Sequence, residues 1–244
     1  MGPDVHRSAL TAHDGRPAAR RPWRERADPI LAAVVFALFA RTFLFQAFAV
    51  PTRSMEKTVL TGDRLLVNKF IYASYASHGG PHPRLLPGRA VRRGDIVIFR
   101  YPGDPRRDFI KRVVGLPGET IAIRDRQVFA NGRPLTEPWA FHSDDRIWPD
   151  DPAIPADRRR RDQLAPLVVP DGAYFVLGDN RDDSSDSREW GFVPEGHLIG
   201  RAMFVYWSLP PRASDAPGGW IAALRFPLDL LRRTRWDRAF LPVR

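Results

Sequence analysis

The chain has 244 residues, 43% of them hydrophobic, which suits one domain with a real core plus an anchor, or two small subdomains. It holds no cysteine, so disulfides and thiolate metal sites are excluded. A formal net charge of +10 calls for an anionic partner, with anionic lipid as good a candidate as nucleic acid.

Residues 1–28 are rich in arginine, proline and alanine, with Arg7, Arg16, Arg20, Arg21, Arg24 and Arg26. They are expected to form a disordered basic tail. Asp28 offers an N-cap and Pro29 suits a first helical position. From Ile30 to Ala49 the chain is mostly Ala, Val, Leu and Phe. A helix of that length measures ~30 Å, one bilayer core, so residues 29–49 are expected to be a transmembrane helix. Arg41 and Gln46 lie in its outer half, from which a charge can snorkel to the interface. Two other readings stay open. Ala47-Phe48-Ala49 has the small-x-small form of a cleavable signal peptide, and the segment could instead be a buried core helix. For an anchor, the arginine tail faces the cytoplasm and residues 50–244 face outward.

After the apolar run the pattern changes to short strands. They are expected at Arg64–Phe70, Asp95–Tyr101, Phe109–Val114, Thr120–Ile123, Gln127–Ala130, Ala173–Leu177 and Ala202–Trp207. Asn131-Gly132 marks a tight turn. Tyr75–Arg93 is a Gly/Pro loop, and residues 141–166 are a charged, proline-rich surface insertion. Trp220–Leu231 is too short and too charged to span a bilayer and is expected to be the last part of the body. The fold class is mainly β: an antiparallel sheet body behind one N-terminal transmembrane helix.

Ser54, in Pro51-Thr52-Arg53-Ser54-Met55, stands where the apolar run meets the body. A serine nucleophile needs a base within hydrogen-bond reach. Of the six histidines, His6 and His13 are in the tail, His78 and His82 in the loop, His142 in the insertion and His197 in a turn. None sits in a recognisable triad motif, and no G-x-S-x-G elbow is present. Lysine is the alternative. The chain has 35 arginines and only three lysines, Lys57, Lys69 and Lys111. Arginine cannot deprotonate, whereas a desolvated lysine can. Strand alternation puts Lys111 on one face with Phe109 and Val113, which favours desolvation. A third stretch, Gly178 to Arg188, packs hydroxyls and alternating charges after a strand. Its spacing does not match a calcium loop, and it can hold a lysine amine beside a serine hydroxyl.

Together, Pro51–Met55, Gly62–Phe70, Arg93–Phe99, Phe109–Glu119 and Gly178–Arg188 resemble the bacterial type I signal peptidases, membrane-anchored Ser/Lys endopeptidases. The resemblance covers roughly residues 29–208. It implies that Ser54 is the nucleophile, Lys111 the general base and Thr52 an oxyanion donor acting with the Ser54 N–H. Ser184 would orient the lysine, and Asp186 with Arg188 would brace it. Phe48, Val50, Pro51, Met55, Phe109 and Ile110 would line pockets for small substrate residues at −1 and −3. It also implies preprotein signal peptides as substrate, membrane lipid and the secretion translocon as neighbours, the outer face of the cytoplasmic membrane as location, and neither cofactor, metal nor nucleic acid. Lys57, Val59 and Asp183 depart from the family's usual proline, leucine and asparagine. Two rivals remain: a membrane-anchored basic β domain for lipid or nucleic acid, and another Ser/Lys protease such as a self-cleaving repressor.

Overall fold

The computed structural model describes residues 23–39, 41, 44–72, 88–211 and 230–244. The first 22 residues, the loop over 73–87 and most of Trp220–Leu231 lie outside this set. Residues 1–40 and 41–244 form separate units.

The first unit contains helix α1 (Trp23–Phe39). The helix starts earlier than expected, with Pro29 inside it rather than at its first turn. It also ends earlier. The expected helix to Ala49 stops at Phe39, and residues Phe45–Ala49 are a strand, β1. The reason is pairing: β1 lies antiparallel to β2 (Asp63–Asn68), with Phe45 opposite Asn68 and Ala49 opposite Arg64. Ladder hydrogen bonds and a side chain on each face of the sheet outweigh the helical bias of an apolar run. No described helix is long and apolar enough to cross a membrane. Ile30, Leu31, Val34, Val35, Phe36, Leu38 and Phe39 on α1 are nevertheless exposed.

The second unit is built from antiparallel strands. After β1 and β2 come β3 (Ile96–Tyr101), β4 (Asp104–Gly115), β5 (Thr120–Arg124), β6 (Gln127–Ala130) and β7 (Arg133–Pro134). Then follow β8 (Leu164–Val168), β9 (Ala173–Leu177), β10 (Val193–Pro194), β11 (Leu198–Ser208) and β12 (Leu241–Pro242). One sheet runs β1-β2-β11-β3-β4-β9-β10, with β12 also on β11. The other runs β7-β6-β5-β8. Asp125 and Arg126, both at positive φ, turn β5 into β6, and Asn131-Gly132 does the same between β6 and β7.

Strand alternation sorts the apolar side chains into three clusters. Val50, Met55, Val59 and Leu65 pack with Ile98 and Ile110. Val97, Phe99, Val113 and Val176 form a second cluster. Val114, Ile121, Phe175 and Leu177 join the two sheets in a third. The insertion at 141–166 is more ordered than a surface loop. It forms helix α2 (Ala156–Asp162) and leads into β8. Its anchor is Asp162, fully buried, which accepts the Trp148 N–H at 2.9 Å and the Arg161 guanidinium at 2.9 Å.

Gly115 lies where the two sheets meet, opposite Phe175 across the β4–β9 ladder. A Cβ there would stand 2.7 Å from Ile121 Cγ1 and 2.8 Å from Phe175 Cβ. Gly115→Ala is therefore expected to cost about 1–3 kcal/mol of stability through overpacking. Urea unfolding of the purified variant measures it, and an unchanged midpoint would contradict this packing.

Candidate active site

Ser54 sits on a tight turn between β1 and β2. The Arg53 carbonyl accepts the Glu56 N–H at 2.9 Å, and the Met55 carbonyl accepts the Val59 N–H at 2.8 Å. Met55 and Val59 are fully buried and root the turn in the first core cluster. Lys57 takes a left-handed φ of 76° to complete it, a conformation proline cannot adopt. The turn presents Ser54 with only 5% of its surface exposed.

Strand β4 brings Lys111 to meet it. Lys111 Nζ donates to Ser54 Oγ at 2.7 Å, across 57 positions of sequence. Lys111 is 4% exposed, and its Nζ lies 5.5 Å from the centre of the Phe109 ring. Burial pulls its pKa down to about 8. Asp186 opposes that fall and Arg188 assists it. Thr52 Oγ1 lies 3.4 Å from Ser54 Oγ. The two hydroxyls and the amine thus form one cluster.

The 178–188 stretch supports the pair from the end of β9. Asp186 and Arg188 are both buried, with Nε–Oδ1 and Nη2–Oδ2 contacts of 2.8 Å each. Burial alone would raise the Asp186 carboxyl. The Arg188 charge and hydrogen bonds, with the Gly178 N–H, hold it below the usual carboxylate range. Asp186 also caps the short helix α3 (Ser187–Trp190). Breaking such a buried pair strands a charge and costs about 3–5 kcal/mol. Ser184 is placed differently from its expected role. Its hydroxyl is buried without a hydrogen-bond partner of normal geometry, pressed against Gly178 near Asp186. It does not hydrogen-bond Lys111.

A groove of about 440 Å³ opens beside Ser54 and Lys111, and Phe48, Pro51, Phe109 and Ile110 line it. Val50 and Met55 do not, because they are buried in the first core cluster, 2% and 0% exposed. Arg53, Arg107, Asp108, Asp183 and Ser185 line the groove as well and were not anticipated. Of the two described histidines, His142 faces Asp182 and His197 faces the Arg100 carbonyl, and neither meets Ser54.

A second buried network was also missed. Arg112, next to Lys111, clasps Asp179 through Nε at 2.7 Å and Nη2 at 2.6 Å. The other Asp179 oxygen contact is the Thr58 hydroxyl, which donates at 2.6 Å. The Asn180 N–H donates to the Ser54 carbonyl at 3.1 Å. The Ser54 turn is therefore tied to β4, which carries Lys111, and to the end of β9 beside it. The only signal in the sequence was Asp179-Asn180 within the polar stretch; nothing there pairs Arg112 or Thr58 with it.

The family model described as signal peptidase, peptidase S26, matches residues 23–207. The chain belongs to the signal peptidase S26 family. It is similar to signal peptidase I of Pseudomonas aeruginosa, 34% identical over 204 residues, covering 74% of this chain and 71% of that one. It is also similar to probable signal peptidase I-2 of Synechocystis, 36% identical over 194 residues, covering 77% and 75% of the two chains. Signal peptidase I of Leptolyngbya laminosa is 36% identical over 200 residues, covering 79% and 83%. A signal peptidase I structure from Enterococcus faecalis is 31% identical and covers 46% of this chain and 97% of its own, with a TM-score of 0.36. As a signal peptidase, the chain is a serine endopeptidase that removes signal peptides.

Gly178 is a position where this peptidase tolerates no side chain. A Cβ there would overlap the Ser184 hydroxyl and the Ser54 carbonyl oxygen. Gly178→Ala is expected to displace Ser54 and lower kcat by about 10²-fold, the cost of misplacing reacting groups by ~1 Å. Cleavage of a preprotein measures it, with circular dichroism to confirm folding; wild-type kcat would contradict this contact.

Burial of Lys111 also predicts a stability effect. Lysine binds its proton with a pKa of ~10.4 when unfolded, against about 8 here. Below pH 8 both states are protonated and the folded state bears the whole cost of the buried ammonium. Above pH 8 that cost shrinks, vanishing near pH 10.4. Lys111→Met is expected to be the more stable protein by about 2–3 kcal/mol at pH 7, with the advantage fading between pH 8 and 10.4. Denaturant unfolding at several pH values reads this directly, and a less stable Lys111→Met protein would contradict it.

Proposed function

We propose that Ser54 and Lys111 form a catalytic dyad that cleaves preproteins after small-x-small sites. The observation that carries this is the 2.7 Å contact between a serine hydroxyl and a buried lysine amine, at the head of a groove with an apolar wall of Phe48, Pro51, Phe109 and Ile110. With its pKa near 8, Lys111 is neutral in a useful fraction of molecules at neutral pH. It accepts the Ser54 proton as Oγ attacks the scissile carbonyl. The Thr52 hydroxyl and the Ser54 N–H stabilise the oxyanion. The Lys111 ammonium then protonates the leaving amine, which departs as the new N-terminus. Neutral again, Lys111 activates the water that hydrolyses the acyl-enzyme. Asp186 and Arg188 keep the amine's electrostatic setting. Phe48, Pro51, Phe109 and Ile110 shape a wall that admits small side chains of an extended substrate.

The exposed apolar residues of α1 from Ile30 to Phe39 support a membrane role for this helix. We assign it as the anchor, with the arginine tail on the cytoplasmic side and the body outside. The apolar part of α1, Pro29 to Phe39, spans only ~17 Å, so anchoring needs the adjoining residues up to Leu44 as well. A cleavable signal peptide ending at Ala49 is disfavoured, because cleavage there would strip β1 from the sheet. Membrane lipid, signal peptides and the secretion translocon are then the neighbours, with no cofactor required.

The test is the lysine. Arginine keeps the charge but cannot act as a base. Lys111→Arg is expected to lose cleavage to the level of Ser54→Ala, and the double variant to be no worse than either. Wild-type kcat/KM is expected to rise with pH through a midpoint near 8. An active Lys111→Arg enzyme would remove Lys111 from the base role. Thr52→Val is expected to cost about 10²–10³ in kcat, while Thr52→Ser keeps substantial activity; a fully active Thr52→Val enzyme would remove the side chain from the oxyanion hole.

A further inference from the structure

Residues 230–244 lie beyond the family match, which ends at residue 207. They reach back to the turn that carries Ser54. Arg238 closes a 3₁₀ turn over Trp236–Arg238 and is 9% exposed. Its Nη2 donates to Asp63 Oδ2 at 2.7 Å and to the Thr58 carbonyl at 3.1 Å, and its Nε donates to both Asp63 oxygens at 3.2 Å. Asp63 is fully buried at the far end of the same turn, where it also accepts the Leu60 N–H at 2.8 Å. Arg235 Nη2 donates to the Thr61 carbonyl at 2.7 Å. Val243 packs in the cluster of Val50, Met55 and Val59. The Arg244 carbonyl accepts from Arg112 Nη2 at 3.1 Å.

These contacts fall on both halves of the dyad. Thr58 and Thr61 belong to the turn that presents Ser54, while Arg112 is the neighbour of Lys111 on β4. No residue of 230–244 lines the groove. The segment therefore bears on the reaction by positioning the turn and β4.

We propose that residues 234–244 form a clasp that sets the distance between Ser54 and Lys111, with Arg238 as its positioning residue. The proposal rests on the Ser/Lys reading of the site. Arg238 suits the task because its rigid fork bridges a carboxylate and a carbonyl at once. A lysine keeps the charge toward Asp63 but lacks the geometry to bridge both acceptors. The price of a loose clasp is paid in rate, since ~1 Å of misplacement can cost 10²-fold. It also hydrates Lys111, which moves the pKa back toward the free value of ~10.4.

The test uses the full-length, detergent-solubilised protein with a preprotein substrate, comparing wild type, Arg238→Lys, Arg238→Ala and Lys111→Arg. Thermal melting establishes that each variant is folded. Arg238→Lys is expected to fold, lose about tenfold or more in kcat with KM within about twofold, and show a pH midpoint displaced upward from about 8. Arg238→Ala is expected to lose more, and millimolar methylguanidinium, unlike equal sodium chloride, to restore part of the rate. If Arg238→Ala does not fold, Arg238→Lys decides alone. A folded Arg238→Lys enzyme with wild-type kcat and pH midpoint, beside an inactive Lys111→Arg enzyme, overturns the clasp and leaves the dyad standing. An active Lys111→Arg enzyme overturns the dyad itself, and with it the distance the clasp is said to set.

Discussion

The structure depends on keeping one amine dry. A lysine is an ammonium in water, and the base role proposed for Lys111 requires that water be excluded. Phe109 beside it, Ser54 at 2.7 Å and the sheet around β4 provide that exclusion. The same burial that lowers the Lys111 pKa makes it a burden on the fold. A dense set of buried ion pairs surrounds the site. Arg188–Asp186 and Arg112–Asp179 are both almost inaccessible to solvent.

Those pairs do more than balance charge. A bidentate arginine–carboxylate contact fixes angles as well as distance. Asp186 joins the end of β9 to α3, and Asp179 joins β4 to the Ser54 turn through Thr58. Arg238–Asp63 ties the same turn to the end of the chain. Three buried carboxylates, each held by an arginine, therefore frame Ser54 and Lys111. This gives one physical use for a chain that favours arginine so heavily, because lysine would supply the charge without the fork.

Much of this was legible in the sequence and some was not. The strands at Ile96–Tyr101, Gln127–Ala130 and Ala173–Leu177 follow from β-branched and aromatic runs bounded by turn residues. The meeting of Ser54 and Lys111 was anticipated because lysine is scarce and the surrounding motifs resemble a family. The strand at Phe45–Ala49 was not, since its apolar composition fits a helix and only β2 reveals the pairing. Val50 and Met55 were assigned to the groove from the family resemblance, but the turn directs them into the core. Ser184 illustrates the same limit, since a hydroxyl's partner depends on angles that spacing does not give. The Arg112–Asp179–Thr58 and Arg238–Asp63 links join residues far apart in the chain, and no local pattern marks them.

The scarcity of lysine offers the most direct measurement. Protein labelled with ¹⁵N only at lysine side chains carries three ammonium groups, Lys57, Lys69 and Lys111, and Lys111→Met identifies the third. The account predicts that Lys111 titrates near 8, well below the free lysine value of ~10.4. A Lys111 signal that titrates at or above ~10.4 in the folded protein would contradict the account at its centre.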